Sequence, residues 1–264
     1  MVKKITLLDY MLAHELVSSP KEALSEVLSG NVIGASRKFS SLHEIVHPRE
    51  IIRLKTHPSA YVSRGGDKLA SVFVKLDLCV AGQIGIDCGA STGGFTDFLL
   101  REGAKKMISI DVGYGILAHT LRIHPDVLSL ERVNVRELTT DNLALLLQTH
   151  PKNQDSPVVL PVDFIVGDVS FISLRLLLPV LATFLKPGGF CLVLFKPQFE
   201  AWQSDVPLGG VIQDLSMIIS LVDQFRQYCE KTGWIFVQQL SSEVTGTQGN
   251  QEIFVLLRWG VPVA

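Results

Sequence analysis

Asp87-Cys-Gly-Ala-Ser-Thr-Gly-Gly-Phe-Thr-Asp97 is the stretch whose reading decides the fold. An apolar segment from Gln83 to Cys88 leads into it, and a helical segment follows from about Gly93. Strand, glycine turn and helix in that order form the first βα turn of a nucleotide-binding α/β sheet, where backbone approaches a ligand closely. The spacing Gly89-Ala-Ser91-Thr-Gly93 is not that of G-x-G-x-x-G, and the Lys-Ser/Thr of a phosphate loop is missing. An acidic strand end before G-x-x-x-G suits an uncharged ribose-type cofactor with a polar tail. S-adenosylmethionine is such a cofactor. On this stretch alone, a purely structural βα turn explains the pattern equally well.

Later strand ends add to the picture. Lys106-Met-Ile-Ser-Ile-Asp111 reads as the next strand. Its terminal carboxylate lies about 20 residues past the turn, where it can accept both ribose hydroxyls of an adenosine. Val127 to Leu130 follows, and Glu131-Arg-Val-Asn134 is a polar strand end able to flank an adenine. Two more runs end in charge: Val162 to Asp168 and Gly189 to Lys196. Ligands bind outside the carboxyl ends of parallel strands, so these residues converge. The cofactor candidates are Asp87, Gly89, Ala90, Ser91, Gly93, Asp111, Asn134 and Asp168.

The composition describes a globular chain of 264 residues, 47% apolar and 19% charged, enough for one large domain and a small one. Leu176 to Leu185 is an apolar run too short to span a membrane, and Lys186-Pro-Gly-Gly ends it. Met1-Val-Lys-Lys-Ile5 followed by Asp9 and His14 shows no signal peptide, so a cytoplasmic protein is expected. Cys79, Cys88, Cys191 and Cys229 form no C-x-x-C and read as reduced thiols. No metal site is expected; His43, His47 and His57 read as a solvated face.

Two parts are expected, residues 1–58 and 59–264. The first holds two helical stretches, Leu7 to Leu12 and Pro20 to Leu28, then two short strands near Asn31 to Ala35 and Glu50 to Leu54. His57 to Tyr61 reads as a linker. Residues 1–68 carry ten Lys/Arg against seven Asp/Glu, a net +3; the remainder carries 14 against 19, a net −5. That asymmetry hints at a polyanionic partner for the first part, though a solvated surface explains it equally well. The candidate RNA contacts are Lys21, Arg37, Lys38 and Arg64.

Four charges sit where strand ends converge: Lys68, Asp168, Lys196 and Glu252. A ribose hydroxyl is a poor nucleophile at neutral pH and benefits from a base as it attacks. A lysine serves if burial and a neighbouring cation lower its pKa, which places Lys196 beside Lys68, with Asp168 and Glu252 orienting the pair. The alternative is a set of salt bridges at a sheet edge.

Five motifs resemble one family: Tyr61-Val-Ser-Arg-Gly-Gly-Asp-Lys-Leu69, Gly89 to Asp97, Asp111-Val-Gly-Tyr-Gly115, Gly167-Asp-Val-Ser-Phe-Ile-Ser-Leu174 and Lys196-Pro-Gln-Phe-Glu200. They are similar to the haemolysin-A (TlyA-type) family of FtsJ-like ribosomal RNA 2′-O-methyltransferases with an N-terminal S4-like RNA-binding domain. The resemblance implies a Rossmann-like class I methyltransferase fold, α/β, with a seven-stranded sheet whose last strand is antiparallel, beside a small α+β domain. It implies a Lys-Asp-Lys-Glu tetrad at Lys68, Asp168, Lys196 and Glu252. It implies ribosomal RNA, within ribosomal subunits, as substrate, with a cytidine ribose as target.

The chain departs from the family pattern. Leu7-Leu-Asp9, Ser19-Pro-Lys21 and Val32-Ile-Gly34 stand where Arg-Leu-Asp, Ser-Arg and Val-Asn-Gly are usual. Leu208, Gln213 and Thr245 stand where the family has basic residues. Each cation missing from the phosphate surface weakens electrostatic RNA binding. Rival readings are an RNA- or ribosome-binding protein without catalysis, a small-molecule methyltransferase and a pore-forming lysin. The lysin has least support, since no amphipathic basic segment is present.

Overall fold

The computed structural model describes residues 5–14, 16–17, 19–34, 37–47, 50–54, 60–154, 156–243 and 250–260. The expected linker at His57 to Tyr61 lies mostly outside them, as do His57, Thr245 and the segment 246–249.

The first part holds β1 (Ile5–Thr6), α1 (Leu7–Ala13), α2 (Pro20–Leu28), β2 (Val32–Ile33), β3 (Ile45–Val46) and β4 (Arg53–Leu54). Local chemistry starts both helices. Thr6 Oγ1 accepts from the Asp9 amide, and Ser19 Oγ accepts from the Glu22 amide with Pro20 behind it. β1 pairs with β3 and β2 with β4, both antiparallel. Leu7, Met11, Ala23, Val27, Val32, Phe39, Val46 and Ile52 form a core of their own. The strands are shorter than the sequence suggests, and this core is small, with α1 and α2 supplying Leu7, Met11, Ala23 and Val27.

The second part holds α3 (Arg64–Phe73), β5 (Ile84–Cys88), α4 (Gly94–Arg101), β6 (Lys106–Asp111), α5 (His119–Ile123), β7 (Val127–Glu131), α6 (Thr140–Thr149), β8 (Val162–Gly167), α7 (Leu174–Phe184), β9 (Leu185–Phe195), α8 (Pro197–Glu200), α9 (Leu215–Lys231), β10 (Trp234–Ser241) and β11 (Ile253–Trp259). The sheet order is β10-β11-β9-β8-β5-β6-β7, and β11 runs antiparallel to both its neighbours. This is the expected α/β architecture.

Its central strands are buried on both faces. Along β9, Cys191, Val193 and Phe195 join one core cluster, while Phe190, Leu192 and Leu194 join the other. Alternate side chains leave opposite faces, so helices on both sides require a continuous apolar run. α3 and α4 cover one face together. Their first turns meet backbone to backbone: a Cβ on Gly94 would lie 2.6 Å from the Gly66 amide and 2.9 Å from the Gly65 Cα. That approach fixes α3, and with it Lys68, over the carboxyl ends of the strands.

The chain leaves β5 for β6 and β7 on one side, then returns through β8 on the other. The crevice between β5 and β8 is the switch point of a doubly wound sheet, the usual ligand position.

Candidate active site

A cavity of about 590 Å³ opens at that switch point. Gly89, Ala90, Ser91, Lys68, Asp168, Lys196 and Glu252 line it. So do Val27, Leu28, Ser29 and Ser40, which means the first part of the chain supplies one wall.

The four charges alternate in sign. Glu252 lies 2.7 Å from Lys68 Nζ, Lys68 lies 3.8 Å from Asp168 Oδ2, and Asp168 Oδ1 lies 2.6 Å from Lys196 Nζ. Lys196 also donates to Ser170 Oγ at 2.9 Å. The two amines expected to be neighbours both contact Asp168. Burial disfavours the Lys68 ammonium, but Asp168 and Glu252 outweigh it and raise its pKa. Lys68 is therefore a fixed cation. Burial disfavours the Asp168 carboxylate in the same way, yet Lys196 and then Lys68 hold it below the usual carboxylate range.

The glycine turn is braced from beneath. Asp87 is buried, and its Oδ2 accepts from the Thr96 amide at 3.1 Å and from Thr96 Oγ1 at 2.7 Å. Thr96 Oγ1 also shares a 2.8 Å hydrogen bond with Ser109 Oγ. Burial pushes the Asp87 carboxyl up to about 7, with Asp168 and Asp111 adding to the rise and the Thr96 bonds opposing it. Asp111 accepts from the Ser91 amide at 2.8 Å and from the Gly113 amide at 2.7 Å, so it ties the two turns together. At Gly89 an added Cβ would lie 2.8 Å from the Asp168 carbonyl oxygen, so the turn sits directly on the next strand end.

Gly93, a cofactor candidate in the sequence, is not among the lining residues, and its own surroundings account for it. Its φ is +95°, and an added Cβ would meet Leu121 at 2.3 Å and Leu117 at 2.8 Å. Backbone conformation and packing against α5 demand the glycine. Asn134 is a second correction. It is exposed and lies outside the cavity lining, because its side chain caps a short turn by accepting from the Arg136 amide and donating to Glu137. Glu131, in register with Asp111 and likewise outside the lining residues, has an Oε1 that is buried without a hydrogen-bond partner among the described residues.

The four candidate RNA contacts are unequal. Arg37 bonds to Glu50 at 3.0 Å and to the Ile45 carbonyl at 2.8 Å, with Glu44 at 3.4 Å and the Phe39 ring beneath it. Its charge serves the first part's own fold. Arg64 Nε donates to the Ser29 carbonyl at 2.7 Å and so joins the two parts. Lys21 is exposed and lies 5.1 Å from the Tyr114 ring, which Arg132 also covers at 4.3 Å. Lys38 is exposed.

Three features escaped the sequence reading. Ser170 and Phe171 follow Asp168 within the Gly167 to Leu174 motif. Phe171 is 90% exposed with φ +63° at the cavity rim, its ring 5.2 Å from that of Phe199. Asn250 accepts from the Ile212 amide at 3.0 Å and donates to the Gly210 carbonyl at 2.8 Å, fixing a rim loop just before Glu252. From Pro197 to Phe225 the sequence has no lysine or arginine, so this rim is apolar and acidic. Among the described residues no His/Cys/Asp/Glu cluster could hold a metal, and no helix is long and apolar enough to cross a membrane.

Comparison with known proteins places the chain in a family. Residues 61–259 match the family model of the FtsJ-like methyltransferases. The chain is 34% identical over 267 residues to YqxC of Bacillus subtilis, named as a candidate rRNA methyltransferase; the alignment spans 98% of this chain and 88% of that protein. It is 38% identical over 199 residues to TlyA of Mycobacterium tuberculosis, named as a 16S/23S rRNA (cytidine-2′-O)-methyltransferase, spanning 75% of this chain and 69% of that one. A solved structure of a candidate hemolysin from Streptococcus thermophilus superposes with a TM-score of 0.71 at 30% identity, covering 98% of this chain and 90% of that one.

Proposed function

Because the chain belongs to the FtsJ-like methyltransferase family, we propose that it methylates a ribose 2′-hydroxyl of ribosomal RNA with S-adenosylmethionine as donor. A cytidine is the proposed target, in line with the name of the mycobacterial relative. The observation that carries this reading is the alternating chain Glu252–Lys68–Asp168–Lys196 in one cavity with the Gly89 to Ser91 turn.

The residues present suit the cofactor. Gly89, Ala90 and Ser91 of the turn line the cavity. Asp87, Asp111 and Glu131 offer acceptors to an ammonium and to ribose hydroxyls, and the unpartnered Glu131 Oε1 is an acceptor suited to such a donor. When bound, the cofactor supplies an electrophilic methyl group on a sulfonium.

The chain's own residues do the rest. In its unprotonated form, after one proton has passed to solvent, Lys196 Nζ takes the proton of the 2′-hydroxyl as the oxygen attacks in line. Asp168 holds that nitrogen in place. Lys68 keeps Asp168 ionised, and Glu252 neutralises Lys68. The exposed ring of Phe171 offers a face on which an unstacked base can lie. We assign residues 1–58 as an S4-like RNA-binding domain and 59–264 as the catalytic domain. Of the four candidate RNA contacts, Lys21 and Lys38 remain available to phosphate. The work is assigned to the cytoplasm, where ribosomal subunits are found.

The test is to map 2′-O-methylation on ribosomal RNA from cells with and without this protein. One cytidine methylated only in its presence supports the reading. Identical maps, with no transfer of labelled methyl to either subunit by the purified chain, would leave an RNA-binding protein without catalysis.

A further inference from the structure

Glu200 ends α8, on the same turn as Lys196, and its side chain is 1% exposed. Its Oε1 accepts from the Leu174 amide at 2.6 Å, and its Oε2 accepts from Ser173 Oγ at 2.7 Å. Ser173 and Leu174 open α7 at the far end of the loop that starts with Asp168. Ser173 Oγ also accepts from the Arg175 amide at 3.2 Å, and the Tyr228 hydroxyl donates to the Arg175 carbonyl at 2.7 Å, which anchors this corner to α9.

The two loops that carry Asp168 and Lys196 are therefore fastened twice. At the cavity, Lys196 contacts Asp168 and Ser170. Behind it, Glu200 grips Ser173 and Leu174. Between the fastenings lies Phe171, whose positive φ is unfavourable for a residue with a side chain and persists only when its surroundings hold it. Burial raises the pKa of Glu200, and the bonds from Ser173 and Leu174 and the Arg175 charge offset only part of that rise. A carboxylate held at that disadvantage, outside the cavity lining, calls for a role in the loops it joins.

We infer that Glu200 is a positioning residue: through Ser173 and the Leu174 amide it fixes the Asp168 to Phe171 turn against the Lys196 turn, and so sets the Asp168–Lys196 contact. The inference rests on Asp168 and Lys196 being the reacting pair.

The experiment uses the full chain with ribosomal RNA and S-adenosylmethionine, both saturating, in single turnover. Glu200→Ala lowers the rate about 100-fold, the scale of an ångström-sized misplacement, and Ser173→Ala lowers it about tenfold. Cofactor affinity stays within about twofold of wild type, and the double variant is no worse than Glu200→Ala, since both changes break one link. Ser173→Thr keeps the hydroxyl and recovers the rate. In crystals of Ser173→Ala the Asp168–Lys196 separation lengthens. A purely structural role would lower the melting temperature and leave the rate of folded enzyme untouched. Should Glu200→Ala fail to fold, Ser173→Ala and Ser173→Thr still decide. Wild-type rate and unchanged geometry in Ser173→Ala, beside an inactive Lys196→Ala, would overturn the positioning role alone. Wild-type rate in Lys196→Ala would overturn the reading of the site and this inference with it.

Discussion

Asp168 stands in contact with both lysines of the cavity, 2.6 Å from Lys196 Nζ through Oδ1 and 3.8 Å from Lys68 Nζ through Oδ2. A single carboxylate thus couples the nitrogen assigned to the reaction to a second, permanently charged one. Removing it leaves Lys196 without its carboxylate partner and Lys68 with Glu252 alone in a partly dry cleft, an arrangement that buried ion pairs tolerate poorly.

Asp168→Asn is expected to lower methyl transfer roughly 10²-fold or more, because Lys196 loses the group that orients it. It also changes acid stability. The folded pKa of Asp168 is depressed, so its contribution is present above the unfolded value and is lost as pH falls through the folded one. Urea midpoints measured downward from pH 6 should fall more steeply for wild type than for Asp168→Asn. Parallel curves would show that the ion pairs do not stabilise the fold.

Asp87 has the opposite sign. Its carboxyl titrates at about 7 in the fold, against about 3.9 for an aspartate in an unfolded chain. The folded state therefore binds the extra proton, and stability falls as pH rises between those values. The penalty above pH 7 is on the order of 4 kcal/mol. Asp87→Asn is expected to be more stable than wild type at pH 8. If Asp87 meets the cofactor's ammonium, binding near pH 6.5 releases a proton. Calorimetry in buffers of different ionisation enthalpy would detect that release, and Asp87→Asn should abolish it.

Gly93→Ala is expected to destabilise the fold by about 1–3 kcal/mol, through its φ and through Leu121 and Leu117. Adding Leu121→Ala relieves the crowding and leaves the backbone strain. Equal denaturation midpoints for wild type and Gly93→Ala would contradict this.

How far the sequence could lead is clear from particular residues. The glycine turn and the strand ends, Asp168 and Lys196 among them, were legible, because each lies in a local pattern: an apolar run, then a polar stop. Lys68 and Glu252 lie in no such run and joined them through the resemblance to the family. Their order in space was not. Lys68 and Glu252 are 184 positions apart, and nothing local says that Asp168 contacts both amines. Arg37 read as an RNA contact because a charge shows in sequence while its partners, Glu44 and Glu50, show only after folding. Asn134 read as a ligand contact because a short polar side chain at a strand end also caps its own turn. Glu200 was invisible in its role, since its donors belong to another loop.

Lys21→Ala with Lys38→Ala is expected to weaken ribosomal RNA binding and to flatten its salt dependence. The log–log slope should shrink by about 0.7–0.9 for each phosphate that is no longer neutralised. Cofactor affinity should change little. An unchanged slope would remove these two lysines from the RNA surface.

The central claim is that Lys196 moves the proton of the ribose hydroxyl. The measurement is single-turnover methyl transfer to saturating ribosomal RNA by Lys196→Ala and Lys196→Arg, with cofactor binding followed by calorimetry. Both variants should bind the cofactor like wild type and transfer roughly 10²-fold more slowly or worse, arginine giving no rescue because a guanidinium stays protonated. Transfer at the wild-type rate by Lys196→Ala would show that the four charges are only a salt-bridge cluster.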